Sequence, residues 1–275
     1  MNAGPLSPGM MSEPIESALR TLDIGIFAPI SAQLTDADKR SLLAIQQSLR
    51  EQYAGYTYLE IGSHLGGSLQ PHVLDSRCAT AISIDARPVS VADDRVDSVP
   101  YPRNSTEHML TLLREVAGDR VNKIVTFDAD AAAVDPAALP SVPHLCLIDG
   151  EHTEGAALSD FSFCKKVVRR KGGVVAFHDG NIIFPALDRI VRELRAEGEQ
   201  IRAYVLPSTL FVIEFGEARV HQSEAIRELL LNNGEPYLYG LMSMLHYRDV
   251  YSSRPMQFMR RIWHMINPSP RPWRP

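Results

Sequence analysis

Cysteine is scarce in this chain. Cys78, Cys146 and Cys164 are the only three in 275 residues, and no two stand in a CxxC pair. An odd, sparse count argues against a disulfide framework, and makes a reducing, cytoplasmic setting the expectation. Long hydrophobic runs are also missing: no stretch approaches the roughly 20 apolar residues of a membrane-spanning helix. Residues 1–17 have neither a basic start nor an apolar stretch, so they read as a loose N-terminus rather than a secretory leader. Positive charge is not in excess. Lys and Arg number 28 against 33 Asp and Glu, a net charge of −5, which argues against a nucleic-acid partner. No internal repeat is visible. What remains is 45% apolar and 22% charged, enough to bury a sizeable core in one large domain with appendages.

The apolar residues fall into a pattern. Residues 35–53 read as a helix: Thr35 and Asp38 are spaced as a capping box, and Leu42, Leu43, Ile45 and Leu49 form a stripe. Short apolar runs follow at 56–61, 81–85, 123–127, 144–149 and 173–177, with helical stretches at 107–116, 156–169 and 186–196 between or after them. Strands alternating with helices predict βαβ units and a parallel sheet, and uniformly apolar strands predict helices on both faces. Residues 201–206 and 210–215 flank Pro207-Ser208-Thr209 as a hairpin, which would set one antiparallel strand into that sheet. Residues 223–231 read as a final helix. Beyond them, 236–251 is rich in Tyr, Met and Leu, and 254–275 carries five Arg and no acid.

Chemistry collects at the strand ends. Glu60, Asp85, Asp130, Asp149 and Asp179 each follow an apolar run, and the carboxyl edge of an open parallel sheet is where ligands bind. The first strand runs into Gly62-Ser-His-Leu-Gly66. His64 stands where a dinucleotide fingerprint has its second glycine, which weighs against a pyrophosphate. Gly62 and Gly66 still allow a tight strand-to-helix turn. Asp85, at the end of the next strand, is placed to accept hydrogen bonds from both hydroxyls of a ribose. Together these features suggest a nucleoside ligand without a diphosphate.

The segments YLEIGSHLGGS, SIDARP, FDADAA, HLCLIDGEHTEGAALSDF and KGGVVAFHDG occur in the order and spacing of class I S-adenosylmethionine-dependent methyltransferases. The stretch from Asp149 to Asp179 resembles the branch called methyltransferase family 24, which is similar to metal-dependent sugar O-methyltransferases. The resemblance covers roughly residues 56–215. It implies a Rossmann-like α/β fold with a seven-stranded, mostly parallel sheet, one antiparallel strand and helices on both faces. It implies that Glu60, Gly62, Ser63 and Gly66 line the methionine part of S-adenosylmethionine, that Asp85 holds the ribose, that Ala129 and Asp130 flank the adenine, and that Asp149 sits beside the methyl donor. In the sugar-methylating relatives the acid matching Asp149 binds a divalent cation, and the histidine matching His152 is the general base. Two adjacent acids there complete the metal site; this chain has His178-Asp179 instead. An all-oxygen set suits Mg²⁺, and an imidazole from His178 would favour Mn²⁺ or Zn²⁺.

The expected organisation is an N-terminal segment and helix at 1–54, a methyltransferase domain at 55–216, and a helical extension with a basic, Pro-rich tail at 217–275. The expected reaction is O-methylation of a small hydroxylated acceptor, with a homo-oligomer possible. Two rivals are a non-catalytic S-adenosylmethionine-binding module and a dinucleotide-dependent oxidoreductase. Asp160 and His64 read as structural, and Cys146 as a core residue.

Overall fold

A computed structural model describes residues 12–93, 96–234 and the isolated positions 238, 241, 242, 255 and 259. The Tyr- and Met-rich stretch at 236–251 and the Arg-rich tail lie almost wholly outside the described residues. In chain order the helices and strands are α1 (Ser12–Thr21), α2 (Asp36–Gln52), β1 (Tyr56–Ile61), α3 (Gln70–Leu74), β2 (Cys78–Ile84), β3 (Ser90–Asp93), β4 (Val96–Pro100), α4 (Thr106–Ala117), β5 (Ile124–Phe127), β6 (Leu145–Ile148), α5 (Glu154–Val167), β7 (Val174–Phe177), α6 (Phe184–Ala196), β8 (Ile201–Val205), β9 (Phe211–Phe215) and α7 (Glu224–Leu231). Residues 12–17, expected to be loose, form the first turns of α1. The β3–β4 hairpin is absent from the sequence reading; its antiparallel backbone register pairs Ser90 with Pro100 and Val91 with Val99.

Seven strands form one sheet in the order β5-β2-β1-β6-β7-β9-β8. All neighbours pair in parallel except β9, which runs antiparallel to both β7 and β8. The alternation of side chains along each strand serves two cores. Tyr58, Leu145, Leu147, Val174 and Ala176 face one cluster, with Leu43, Ile45 and Leu49 of α2, Met109 and Leu113 of α4, and Ile226 of α7. Leu59, Cys146, Ile148, Val175 and Phe177 face the other, with Phe161 and Cys164 of α5 and Leu187, Ile190 and Leu194 of α6. Each such side chain, fully buried, contributes about 1.5–3 kcal/mol relative to exposure.

This order places the topological switch point between β1 and β6. From β1 the chain runs outward through β2 to β5; after β6 it runs the other way through β7. Ligands bind at such a crevice outside the carboxyl ends of the strands. At the opposite end of β1 lies a buried polar network. Tyr56 donates to Asp75 Oδ2 at 2.9 Å and lies 3.0 Å from His72 Nδ1, while His72 stacks on Tyr58 with ring centroids 3.6 Å apart. Burial, with Lys123 nearby, pushes the His72 imidazole down to about 3.

Candidate functional site

The turn after β1 shows what its glycines are for. Gly62 has φ +90, and a Cβ on it would stand 2.2 Å from the Asp149 carbonyl oxygen. Only glycine allows β1 and β6 to end this close together. The turn closes with Gly66 N–H donating to Ser63 O at 2.7 Å. The freed amide of His64 donates to Asp85 Oδ2 at 2.9 Å, and the Arg87 amide donates to Asp85 Oδ1 at 2.7 Å. Asp85 is thus buried beside the glycine bend, as the sequence reading required, and not a solvated loop acid.

A cavity of about 400 Å³ opens over this turn. Of the residues expected to hold a nucleoside, Gly62, Asp85, Ala129, Asp130 and Asp149 are in its wall. Glu60, Ser63 and Gly66 are not; they lie behind the wall and shape it. Glu60 is fully buried and accepts a hydrogen bond from Ser68. Burial pushes its carboxyl up to about 8, with Asp149 and Asp85 adding to the rise. A methionine-binding role for Glu60 therefore requires a contact that this arrangement does not make.

His64 and Asp160 were read as structural, yet both are in the cavity wall. His64 Nε2 is buried with no protein partner, an atom that a polar ligand would satisfy. Asp160 is buried, and its carboxyl is raised to about 7 by burial, helped by Asp130 and Glu151. Its position on α5 marked it as a helix acid; only the packing of that helix over Gly150 turns it toward the cavity. Cavity volume, the bare backbone at Gly62, the buried carboxylate and the partnerless imidazole nitrogen together fit a nucleoside of the size of S-adenosylmethionine.

Next to it lies a second cavity, of about 290 Å³, walled by Gln33, Thr35, Asp38, Tyr101, Asp149, His152, His178, Asp179 and Thr209. Asp149 belongs to both. The strand ends of β6 and β7 bring four donor atoms together here. His178 Nδ1 lies 2.9 Å from Asp149 Oδ1 and 3.8 Å from Asp179 Oδ2. His152 Nε2 lies 3.6 Å from each of the same two oxygens. Adjacent ligands on one ion with bonds of about 2.1 Å stand roughly 3–3.5 Å apart, so the residues present fit a divalent cation. Asp149, His152 and His178 form the group of metal-ligand type found among the described residues.

Charge is finely opposed in this cluster. Burial disfavours a cationic His178, but Asp149, Asp179 and Asp38 around it raise its pKa well above the usual imidazole value. Burial likewise disfavours an ionised Asp149, yet His178 and His152 beside it pull its carboxyl down to about 2. Asp38 had been recognised only as a capping residue. It is fully buried, and its Oδ2 lies 3.5 Å from His178 Nε2.

Residues 59–180 match the model of a family described as a methyltransferase domain. Over this segment the chain is similar to methyltransferase domains. It contains both sets of strand ends just described, from the glycine turn to His178-Asp179. An uncharacterized protein of Acanthamoeba polyphaga mimivirus is 27% identical to the chain over 147 residues, which cover 51% of this chain and 61% of that protein. Among solved structures, the O-methyltransferase NovP shares the fold, with a TM-score of 0.54 at 14% identity, covering 75% of this chain and 99% of that one. The O-methyltransferase TomG of Streptomyces achromogenes, involved in tomaymycin synthesis and crystallised with S-adenosylmethionine, aligns with a TM-score of 0.47 at 13% identity, over 77% of this chain and 91% of that one. In chain order the matched segment is preceded by α1 and α2 and followed by α6, β8, β9 and α7. No helix among the described residues is long and apolar enough to cross a membrane.

Proposed function

We propose that the chain transfers a methyl group from S-adenosylmethionine to a hydroxyl oxygen of a small, sugar-like acceptor. One observation carries the reading. The cavity beside Asp85 and the polar cavity beside His152 share Asp149, so a donor in the first and an acceptor in the second meet at that residue. The cofactor supplies an electrophilic methyl on a sulfonium. Asp85 accepts hydrogen bonds from its ribose, while Ala129 and Asp130 border its adenine. The second cavity is small and polar-walled, as a hydroxylated molecule requires.

In the transfer, the sulfur–carbon bond breaks as the oxygen–carbon bond forms, and the hydroxyl proton leaves. His152 takes that proton at Nε2, which faces Asp149 and Asp179. Holding both reactants in line supplies much of the rate. A divalent cation, when bound, would supply Lewis acidity that makes a nearby hydroxyl easier to deprotonate. Asp149 and His178, which stand close enough to share an ion, would hold it together with Asp179, leaving His152 of the same cluster for the proton, and the imidazole donor favours Mn²⁺ over Mg²⁺.

Calorimetric titration tests the donor: S-adenosylhomocysteine should bind and NAD should not, and the reverse result would replace the methyltransferase with an oxidoreductase. Incubating the protein with S-adenosylmethionine, Mn²⁺ and a panel of hydroxylated sugars, with mass-spectrometric detection of S-adenosylhomocysteine, tests the reaction. Tight binding without turnover on any panel member would favour a non-catalytic module.

A further inference from the structure

Asp38 lies outside the methyltransferase segment, on the first turn of α2, and a capping box does not account for its surroundings. The capping role needs one contact, Thr35 N–H to Oδ2, at 3.1 Å. Asp38 has several more. Thr35 Oγ1 donates to the same oxygen at 2.6 Å, and the Thr209 amide, from the loop between β8 and β9, donates to Oδ1 at 3.2 Å. The carboxylate is fully withdrawn from water, and burying such a charge is costly unless it is paired. The group it faces inside the rim is the Nε2 of His178. The other ring nitrogen of His178, Nδ1, lies at hydrogen-bond distance, 2.9 Å, from Asp149 Oδ1 and 3.8 Å from Asp179 Oδ2, so a cation held among these groups would take the place of the Nδ1 proton. Imidazoles that ligate metals usually donate their remaining N–H to a carboxylate, which sets the tautomer and the ring plane. Asp38, itself clamped from two loops, stands where such a carboxylate belongs.

We propose that Asp38 is a positioning residue that fixes His178 as the Nε2–H tautomer and so leaves Nδ1 free to ligate a divalent cation with Asp149 and Asp179. The inference rests on the ion-assisted reading above and deepens it: the N-terminal helix completes a centre that the methyltransferase segment alone only begins. His178 is then a ligand in place of an acid because a carboxylate from another part of the chain supports it. This also explains why α2 is docked with its N-terminus at the catalytic rim.

Titration of the 275-residue chain with Mn²⁺ tests the assignment, with S-adenosylhomocysteine affinity measured in parallel. Asp38→Asn should weaken Mn²⁺ binding by roughly 10–100-fold and leave S-adenosylhomocysteine affinity unchanged. Ser223→Ala, which removes the cap of α7 away from the rim, should lower the melting temperature and leave Mn²⁺ affinity unchanged. Wild-type Mn²⁺ affinity in Asp38→Asn would overturn the positioning role alone. A wild-type chain that binds S-adenosylhomocysteine but neither Mn²⁺ nor Zn²⁺ would remove the ion as well, with the methyltransferase reading still standing. A measurement that needs no variant is the ¹⁵N spectrum of the Zn²⁺-loaded wild-type protein. It should show the proton of His178 on Nε2; a proton on Nδ1 would overturn the proposal.

Discussion

The two halves of the catalytic rim are built differently. On the side of β1 and β2, the nucleoside cavity is shaped by backbone: a glycine at positive φ, a tight turn, and an amide aimed at Asp85, all within one short stretch of chain. On the side of β6 and β7, the second cavity is shaped by side-chain charge, and its parts come from β6, β7, the β8–β9 loop and the N-terminal helix. The first half works by leaving room and the second by crowding opposed charges. A change in the first should therefore affect shape and nucleoside affinity, and a change in the second should affect ion binding and proton transfer.

The change expected to break both halves is Gly62→Ala. It places a methyl group 2.2 Å from the Asp149 carbonyl at φ +90, and should cost about 3 kcal/mol or more in a denaturant melt and abolish S-adenosylhomocysteine binding. Normal stability and binding would show that the two strand ends can part freely. Asp149→Asn comes next, since Asp149 walls both cavities. It should weaken Mn²⁺ and S-adenosylhomocysteine binding together, and loss of only one would mean that the cavities are independent. Asp85→Ala separates the halves: losing hydrogen bonds to a charged group worth about 1.5–3 kcal/mol should reduce nucleoside affinity roughly 10–100-fold and leave Mn²⁺ untouched in calorimetry. Asp179→Asn should do the converse, weakening Mn²⁺ about tenfold with nucleoside affinity preserved.

One expected effect belongs to neither half and serves as a control at the far end of β1. His72 is held neutral down to about 3, whereas an unfolded histidine takes a proton near 6.5. Between these values the unfolded chain binds more protons, so stability is full above 6.5 and falls as the pH drops toward 3, by up to about 1.4 kcal/mol per pH unit from this group. Urea melts of wild type and His72→Gln from pH 6.5 to 4 should show a shallower decline in the variant. Parallel declines would assign the acid sensitivity to other groups.

Legibility in the sequence followed the same division. The helix at Asp36–Gln52, its capping box and the main strands were readable because period and cap chemistry are local. Asp85 was readable because a strand end and a glycine turn fix its neighbourhood. The β3–β4 hairpin was hidden in a stretch of mixed charge between two clearer elements. Asp160 looked like any helix acid, and Asp38 like any third residue of a helix. Glu60 is the reverse case: its motif suggested a ligand contact, and the fold sets it behind the turn, bonded to Ser68.

By itself the sequence determined the order of strands and helices, the two-faced burial of the sheet and the row of acids at its carboxyl edge, because alternation and turn chemistry act over a few residues. Only the tertiary structure decided which of those acids face a cavity, and that Asp38 meets His178. A buried charge finds its partner through space, and nothing in the local pattern around either residue records the distance that folding closes between them.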